Sequence, residues 1–524
     1  MTPTTWPLTH QELLTGDWTK GPAGTGECDW TIGGTCRLDQ SVGEAAESWE
    51  SPEVGHLIFH IRHGIHWSLD PNNAASKLVN GRELTADDVV FELKRICTEP
   101  KAYFKTAYPI MSAGLQATAP DKYTVDIKVP VDQFSNALGI MPDLWHVAPP
   151  EPIKAFGSTD TWSTQVGSGA FIVTSYVPGS IVTLVKNPNY YFKDPIGPGK
   201  GNQLPYIDAI KMLILPDTST AQAALRTGKL DRGSAASLDE LDTAMKGAPQ
   251  LLSKKVMGHT AACLAMWLNK PNLPFKDIRV RQAMMMATDF NAIKDQLYRG
   301  DAVIQTWPNP YQKEYKNIFV PISEMPASVQ DLYTYNPDKA KSLLKEAGYP
   351  TGFKTNIICS NVASQVDYLS VIKDMWSKVG IELILNPKDP AVYSSINSGL
   401  TYDEMLYAGA GGAIGRYYSC NTFDGTGYFN PSQVADPTVK EYVAKMSNLF
   451  NTQKMDELDK TYRELLPYAL AQAWAIPKPN AYTYNLWWPW VKNYHGESSI
   501  GYTNQWGFSQ FIWLDQDLKK SMGH

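Results

Sequence analysis

The chain has 524 residues, enough for about three domains and several buried cores, so neither disulfides nor a metal is needed to hold it together. A net charge of −6 with 19% charged residues gives no electrostatic reason to expect nucleic acid or an anionic membrane as a partner. No run approaches the ~18 apolar residues that span a bilayer, and no basic-then-apolar leader opens the chain. That leaves a cytosolic protein, or an exported one without its leader.

Residues 1–40 carry little periodicity and read as loop with short ordered pieces. From Leu57 the pattern alternates, with Leu57, Phe59 and Ile61 on one face and Ile58, His60 and Arg62 on the other, which predicts a half-buried strand. Thr85 and Asp88 have capping-box spacing, and Val89, Val90, Leu93, Ile96 and Cys97 then form one apolar helical face. Tyr123, Val125, Ile127 and Val129 alternate as a second strand. Pro178-Gly179 between two apolar runs predicts a hairpin. Ile210, Met212 and Ile214 read as a strand, and Ala221–Arg226 as a helix stopped by Gly228. Asp277 and Asp289 cap predicted helices over 280–287 and 292–298. Asn336-Pro337 opens a helix that Gly348 ends. Val366, Leu369, Ile372, Trp376 and Val379 make an amphipathic helix stopped by Gly380, before a strand through Ile381, Leu383 and Leu385. Helix and strand in repetition argue α/β lobes with covered sheets.

Of six cysteines, Cys97, Cys263, Cys359 and Cys420 are scattered and read as small buried hydrophobes. Cys28 and Cys36 lie eight apart in a Gly-rich stretch, which suits either a short disulfide loop in an oxidising compartment or two separate thiols. The 16 Trp and 27 Tyr fit a large core or a cleft lined by flat rings. His56, His60, His63 and His66 cannot all share one face of a strand, so they read as polar-face histidines and not as a metal site. Gly409–Gly415 imitates a dinucleotide loop but puts Ile414 where a small residue must admit pyrophosphate. No Walker loop, nucleophile elbow, His-Glu-x-x-His or Cys-x-x-Cys occurs. The paired carboxylates Asp87/Asp88 and Asp239/Glu240 read as helix caps and surface charge, so positive evidence for catalysis is missing.

Glu44-Ala-Ala-Glu-Ser-Trp49-Glu50 resembles the "LAESWE" segment of the family 5 extracellular solute-binding proteins, the dipeptide- and oligopeptide-binding type of bacterial ABC transporters. Phe59–Trp67, Asn80–Phe91, Val166–Phe171, Lys186–Tyr191, Pro216–Thr220, Ala224–Asp231, Asp277–Ala283 and Tyr335–Tyr349 resemble further segments of that family, in the same order. The resemblance implies a two-lobed α/β clamp of the large peptide-binding type (cluster C) with an extra subdomain. It assigns 1–165 to the peripheral subdomain, 166–255 and 480–524 to lobe I, and 256–479 to lobe II. Chain crossings near Val256–Ala262 and Ile476–Tyr482 would form the hinge. The implied function is the substrate-binding component of an ABC importer, closing on a peptide-like, saccharide or other small solute in the inter-lobe cleft. No enzyme activity, cofactor or metal is implied. A secreted carbohydrate-active hydrolase is the alternative reading.

Implied partners are the small-molecule ligand and the membrane permease of the importer. A monomer is expected, located outside the cytoplasm as a periplasmic protein or a membrane-anchored lipoprotein. Two departures stand out. Relatives carry a further stretch, with the first strand of lobe I, ahead of the segment matched by His10–Leu14, and that strand is expected to be missing here. Many peptide-binding members also carry "W-x-x-D-Y", whose Asp pairs with a peptide ammonium. Here Tyr407 replaces the Trp, and no carboxylate follows until Asp424. The candidate ligand-binding residues are Trp267, Tyr407, Arg416, Tyr417, Tyr418, Asp424, Trp487 and Trp488, with core packing the alternative for each aromatic. Arg416 in place of a carboxylate predicts that sugars, capped peptides or acidic metabolites bind better than free small peptides.

Overall fold

In the strand His56–Ile61, Leu57, Phe59 and Ile61 are buried while Ile58 and His60 are half-buried, as the alternation predicts. It lies in a four-stranded antiparallel sheet in the order Ala46–Glu53, His56–Ile61, Thr124–Lys128, Gln116–Thr118. The helix Ala86–Thr98 starts where Asp88 accepts the Thr85 amide at 2.9 Å. The same carboxylate takes two hydrogen bonds from Arg82, at 2.8 and 2.7 Å, and Arg82 also holds Glu151. The four histidines of the first strand and its turn go to four different partners: Asp126, Glu50, the Tyr123 ring and the Gly81 carbonyl.

The computed structural model describes residues 5–31, 37–100, 102–159, 161–257, 262–408, 429–502 and 504–524. These divide into two units, Met1–Val256 with Thr483–His524, and Met257–Tyr482. Among the described residues no helix is long and apolar enough to cross a membrane.

Besides the four-stranded sheet, the first unit holds the hairpin Phe171–Val177 and Ile181–Lys186, whose turn places Gly179 at φ +70°, extended by Ala209–Leu213. The early chain is more ordered than its sequence suggests: Trp6–Thr9 is helical, and Leu14–Gly16 pairs with Ser41–Gly43. In a third sheet, Thr483–Trp487 sits between Arg232–Ala235 and Leu252–Val256, antiparallel to both.

The second unit is built on one five-stranded sheet, ordered Ile381–Lys388, Phe353–Ser360, Met405–Ala408, Cys263–Met266, Ala475–Pro477. All four residues of Cys263–Met266 are buried, as expected of a central strand covered on both faces. Phe353–Ser360 connects to Ile381–Lys388 through the helix Ala363–Ser377, with the two strands parallel. Gly380 between them has φ +89°. The predicted helix over 292–298 is present, opening as an α-helix at Phe290–Ala292 and widening to a π-helix over Ile293–Leu297. Asp289 caps its start as expected, and the chain leaves the helix at Arg299 and Gly300, both at positive φ.

Candidate ligand-binding site

The register of the second unit's sheet gathers its chemistry at one edge. Phe353–Ser360 runs parallel to Ile381–Lys388 and to Met405–Ala408. Cys263–Met266 runs opposite to Met405–Ala408 and to Ala475–Pro477. Four of the five strands therefore end at the same edge, where Cys263 pairs with both Ala408 and Pro477. In open α/β sheets ligands bind outside the carboxyl ends of the strands, where side chains from successive loops converge.

Tyr407 sits in the penultimate position of its strand, and Lys478 directly follows Pro477. The helix after Phe353–Ser360 contributes Tyr368, whose ring meets that of Tyr407 edge-on at 6.2 Å. The helix Pro390–Gly399 contributes Tyr393, whose hydroxyl donates to the Tyr407 carbonyl. Tyr298, at the end of the π-helix, completes the group. The Lys478 ammonium lies 5.2 Å from the Tyr298 ring centre and 5.6 Å from that of Tyr368.

Burial dominates the electrostatics here. It raises the phenols of Tyr407 and Tyr368, assisted by their proximity to each other's neighbours, and pushes Tyr298 and the Cys263 thiol up to about 12. All four groups are neutral at physiological pH. Burial also lowers the Lys478 ammonium to about 8, so it still carries its charge at pH 7. Its nitrogen donates to the Pro479 carbonyl at 3.1 Å, and among the described residues no carboxylate pairs with it. The Tyr368 hydroxyl is buried and among the described residues has no hydrogen-bond partner.

Of this group, the sequence reading singled out Tyr407 as a candidate and not Lys478, Tyr298, Tyr368 or Tyr393. The signal for Lys478 was a charge flanked by two prolines at the end of the apolar run Ala473–Pro477. Trp267 is half-buried against Tyr402, 4.9 Å away, with the Lys270 ammonium 4.3 Å from its ring. It follows Met266 and donates its backbone N–H to the Glu404 carbonyl, so it lies at the opposite edge of the sheet from Tyr407 and Lys478. Trp487 and Trp488 are buried in the first unit's hydrophobic core, the packing alternative given for them. Trp488 is 2% exposed, stacks on Trp490 at 4.6 Å and donates to the Leu225 carbonyl. Trp487 packs edge-on against Tyr494. Arg416, Tyr417, Tyr418 and Asp424, like the glycine loop 409–415, lie outside the described residues. Cys28 is buried, and Cys36 also lies outside them.

The first unit has its own concavity, about 520 Å³, lined among others by Trp18, Glu44, Arg62, Tyr191 and Phe192. Behind Glu44 lies a group of buried ionisable residues. Glu44 accepts the Glu12 amide at 2.7 Å, and His146 lies 3.6 Å from the Glu12 carboxyl. Burial, reinforced by Asp143, pushes Glu44 up to about 8 and Glu12 well above the usual carboxylate range. Burial pushes His10 and His146 down to about 3. The cluster thus sits in neutral form. Among the described residues no group of three or more metal-ligating side chains forms.

Residues 40–431 match the model of the bacterial extracellular solute-binding proteins, family 5. Heme-binding protein A of Haemophilus influenzae is 25% identical over 490 residues, 88% of this chain and 83% of that protein. Among solved structures, the periplasmic binding protein DppA of Helicobacter pylori, in complex with the peptide STSA, superposes with a TM-score of 0.70 at 20% identity, over 98% of this chain and 93% of the other. The binding protein AgaA of A. tumefaciens R10, in complex with agropinic acid, gives 0.73 at 20% identity, over 98% and 94%. The shared fold is the two-lobed α/β architecture of periplasmic binding proteins. These relatives are binding proteins, and the hydrolase alternative finds no support among them. The chain belongs to family 5 of the bacterial extracellular solute-binding proteins, the substrate-binding components of ABC transporters.

Proposed function

We propose that the chain captures its solute on the carboxyl edge of the second unit's sheet, on the platform formed by Tyr298, Tyr368, Tyr393, Tyr407 and Lys478. One observation carries this reading: the strand ends bring four phenols and one uncompensated cation to a single place. Flat rings supply apolar contact area with polar tips, a common make-up of small-molecule sites. The relatives named above bind a heme, a peptide and agropinic acid, so the family context allows several solute classes and favours none. In this reading 256–479 acts as lobe II, 166–255 with 480–524 as lobe I, and 1–165 as the peripheral subdomain. The two places where the chain passes between units, after Val256 and after Tyr482, support that division. The protein then works outside the cytoplasm, as its family does, and delivers solute to an ABC permease.

The test is a thermal-shift screen against peptides, sugars and organic acids, joined to mass spectrometry of small molecules that copurify. A ligand present at a hundredfold excess over its dissociation constant adds about 2.7 kcal/mol to the folded state. Tyr407→Ala should remove that stabilisation while the protein stays folded. Conversion of any hit to product would replace the binding reading with an enzymatic one.

A further inference from the structure

The second unit keeps a positive charge where a protein of this size could easily have avoided one. Lys478 follows the buried strand Ala475–Pro477, and its three N–H groups find one acceptor, the Pro479 carbonyl. Its remaining near neighbours are the faces of Tyr298 and Tyr368. Ring faces attract a cation, but they do not replace the hydration that burial removes. A counter-charge would, and among the described residues none is there. The Tyr368 hydroxyl, on a ring 5.6 Å from that ammonium, is buried and among the described residues has no hydrogen-bond partner. Buried polar groups are nearly always satisfied, so a cation with one acceptor near a phenol with none points to something that the bound state supplies.

We infer that Lys478 and Tyr368 receive a carboxylate of the transported solute. The inference rests on the platform being the solute site and specifies what that site selects. One ammonium balances one negative charge, which suits a monoanionic carboxylate better than a phosphate dianion. The phenol hydroxyl gives the second donor for its other oxygen. The surrounding tyrosines are neutral and place no negative charge against it. The C-terminus of a peptide and an organic acid both offer such a carboxylate; the chemistry is shared and the probes separate the two sources.

Calorimetric titration with tri-alanine, tri-alanine amide, citrate and glucose tests this on the wild-type protein, Lys478→Met and Lys478→Arg, with thermal unfolding as the check on folding. Expected is that tri-alanine or citrate binds the wild type, and that a bound peptide acid exceeds its amide by about tenfold or more, as for a hydrogen bond to a charged group. Lys478→Met should lower the affinity for the carboxylate probe at least tenfold and abolish the preference for the peptide acid over its amide, while Lys478→Arg keeps part of that preference. Dependence of tri-alanine alone identifies a peptide terminus, and of citrate alone an organic acid. If Lys478→Met does not fold, lysine-labelled wild type is followed by carbon NMR, and the Lys478 titration midpoint must rise when the carboxylate probe is added. Acid and amide binding equally, or glucose binding while both carboxylates fail, overturns the inference and leaves the platform standing. Failure of all four probes also counts against the inference, and failure of the wider solute screen as well removes the platform with it.

Discussion

A carboxyl group buried without a cation holds its proton, and an imidazole in the same surroundings gives its proton up. Glu44 and His10 show both sides of that rule within one cluster. The sign of the linkage follows from the direction of each shift. Glu44 is raised from its ordinary 4.5 to about 8, so its contribution to stability is lost as pH rises from 4.5 to 8. His10 and His146 are lowered from 6.5 to about 3, so theirs is lost as pH falls from 6.5 to 3. Between pH 4.5 and 6.5 the two slopes oppose. We expect unfolding free energy, measured with denaturant, to fall from pH 6.5 to 8, and Glu44→Gln to reduce that fall. Trp488 gives a second expectation: Trp488→Ala should cost about 3–5 kcal/mol by emptying core volume and should leave solute affinity alone. At this scale the sequence was partly legible. Tyr407 entered the candidate list because it stands where relatives carry a ring, and Trp488 entered it as an aromatic near a chain crossing and packs in the core. Lys478 was passed over, because a lysine between two prolines also looks like an exposed loop charge until the strand register places it.

Caps, alternation and glycine stops were the most legible features, since each depends on residues a few positions apart. Asp88, Asp277, Asp289 and Asn336 all accept a backbone amide at the helix starts they mark. Asp88 does more, because Arg82 bridges it to Glu151. Asp88→Ala therefore removes a cap and leaves a half-buried guanidinium with one partner fewer, and we expect a loss of about 2–4 kcal/mol in chemical denaturation, more than an ordinary cap. Gly352 and Gly380 face each other where two parallel strands begin. Gly352 has φ +82°, and a Cβ there would lie 1.9 Å from the Gly380 carbonyl oxygen. Gly352→Ala should thus destabilise well beyond the ~1 kcal/mol typical of a point mutation, visible as a drop in thermal midpoint. Pairings such as Leu14–Gly16 with Ser41–Gly43 escaped the reading, because three-residue strands carry too little pattern. The helix predicted over 292–298 formed, but its widening to a π-helix at Ile293–Leu297 escaped the reading, because apolar spacing does not separate the two.

The chain visits its units in the order one, two, one. The sheet that joins the two halves of unit one could not be read, because its middle strand lies more than two hundred residues from its neighbours. Thr483–Trp487 is the middle strand of that sheet, and both neighbours make their ladder bonds through it. Residues 257–482 are continuous and own a complete five-stranded sheet, so that fragment should fold alone, with cooperative melting in calorimetry. Residues 1–256 lack the middle strand, and we expect them to stay aggregation-prone until a 483–524 peptide is added. The arrangement also fixes a calendar for biosynthesis. A ribosome releases the first 256 residues early, yet their last sheet has to wait for nearly the whole message to be read. A copy cut short before Thr483 keeps an open slot between two bare strand edges, an invitation to pair with another chain.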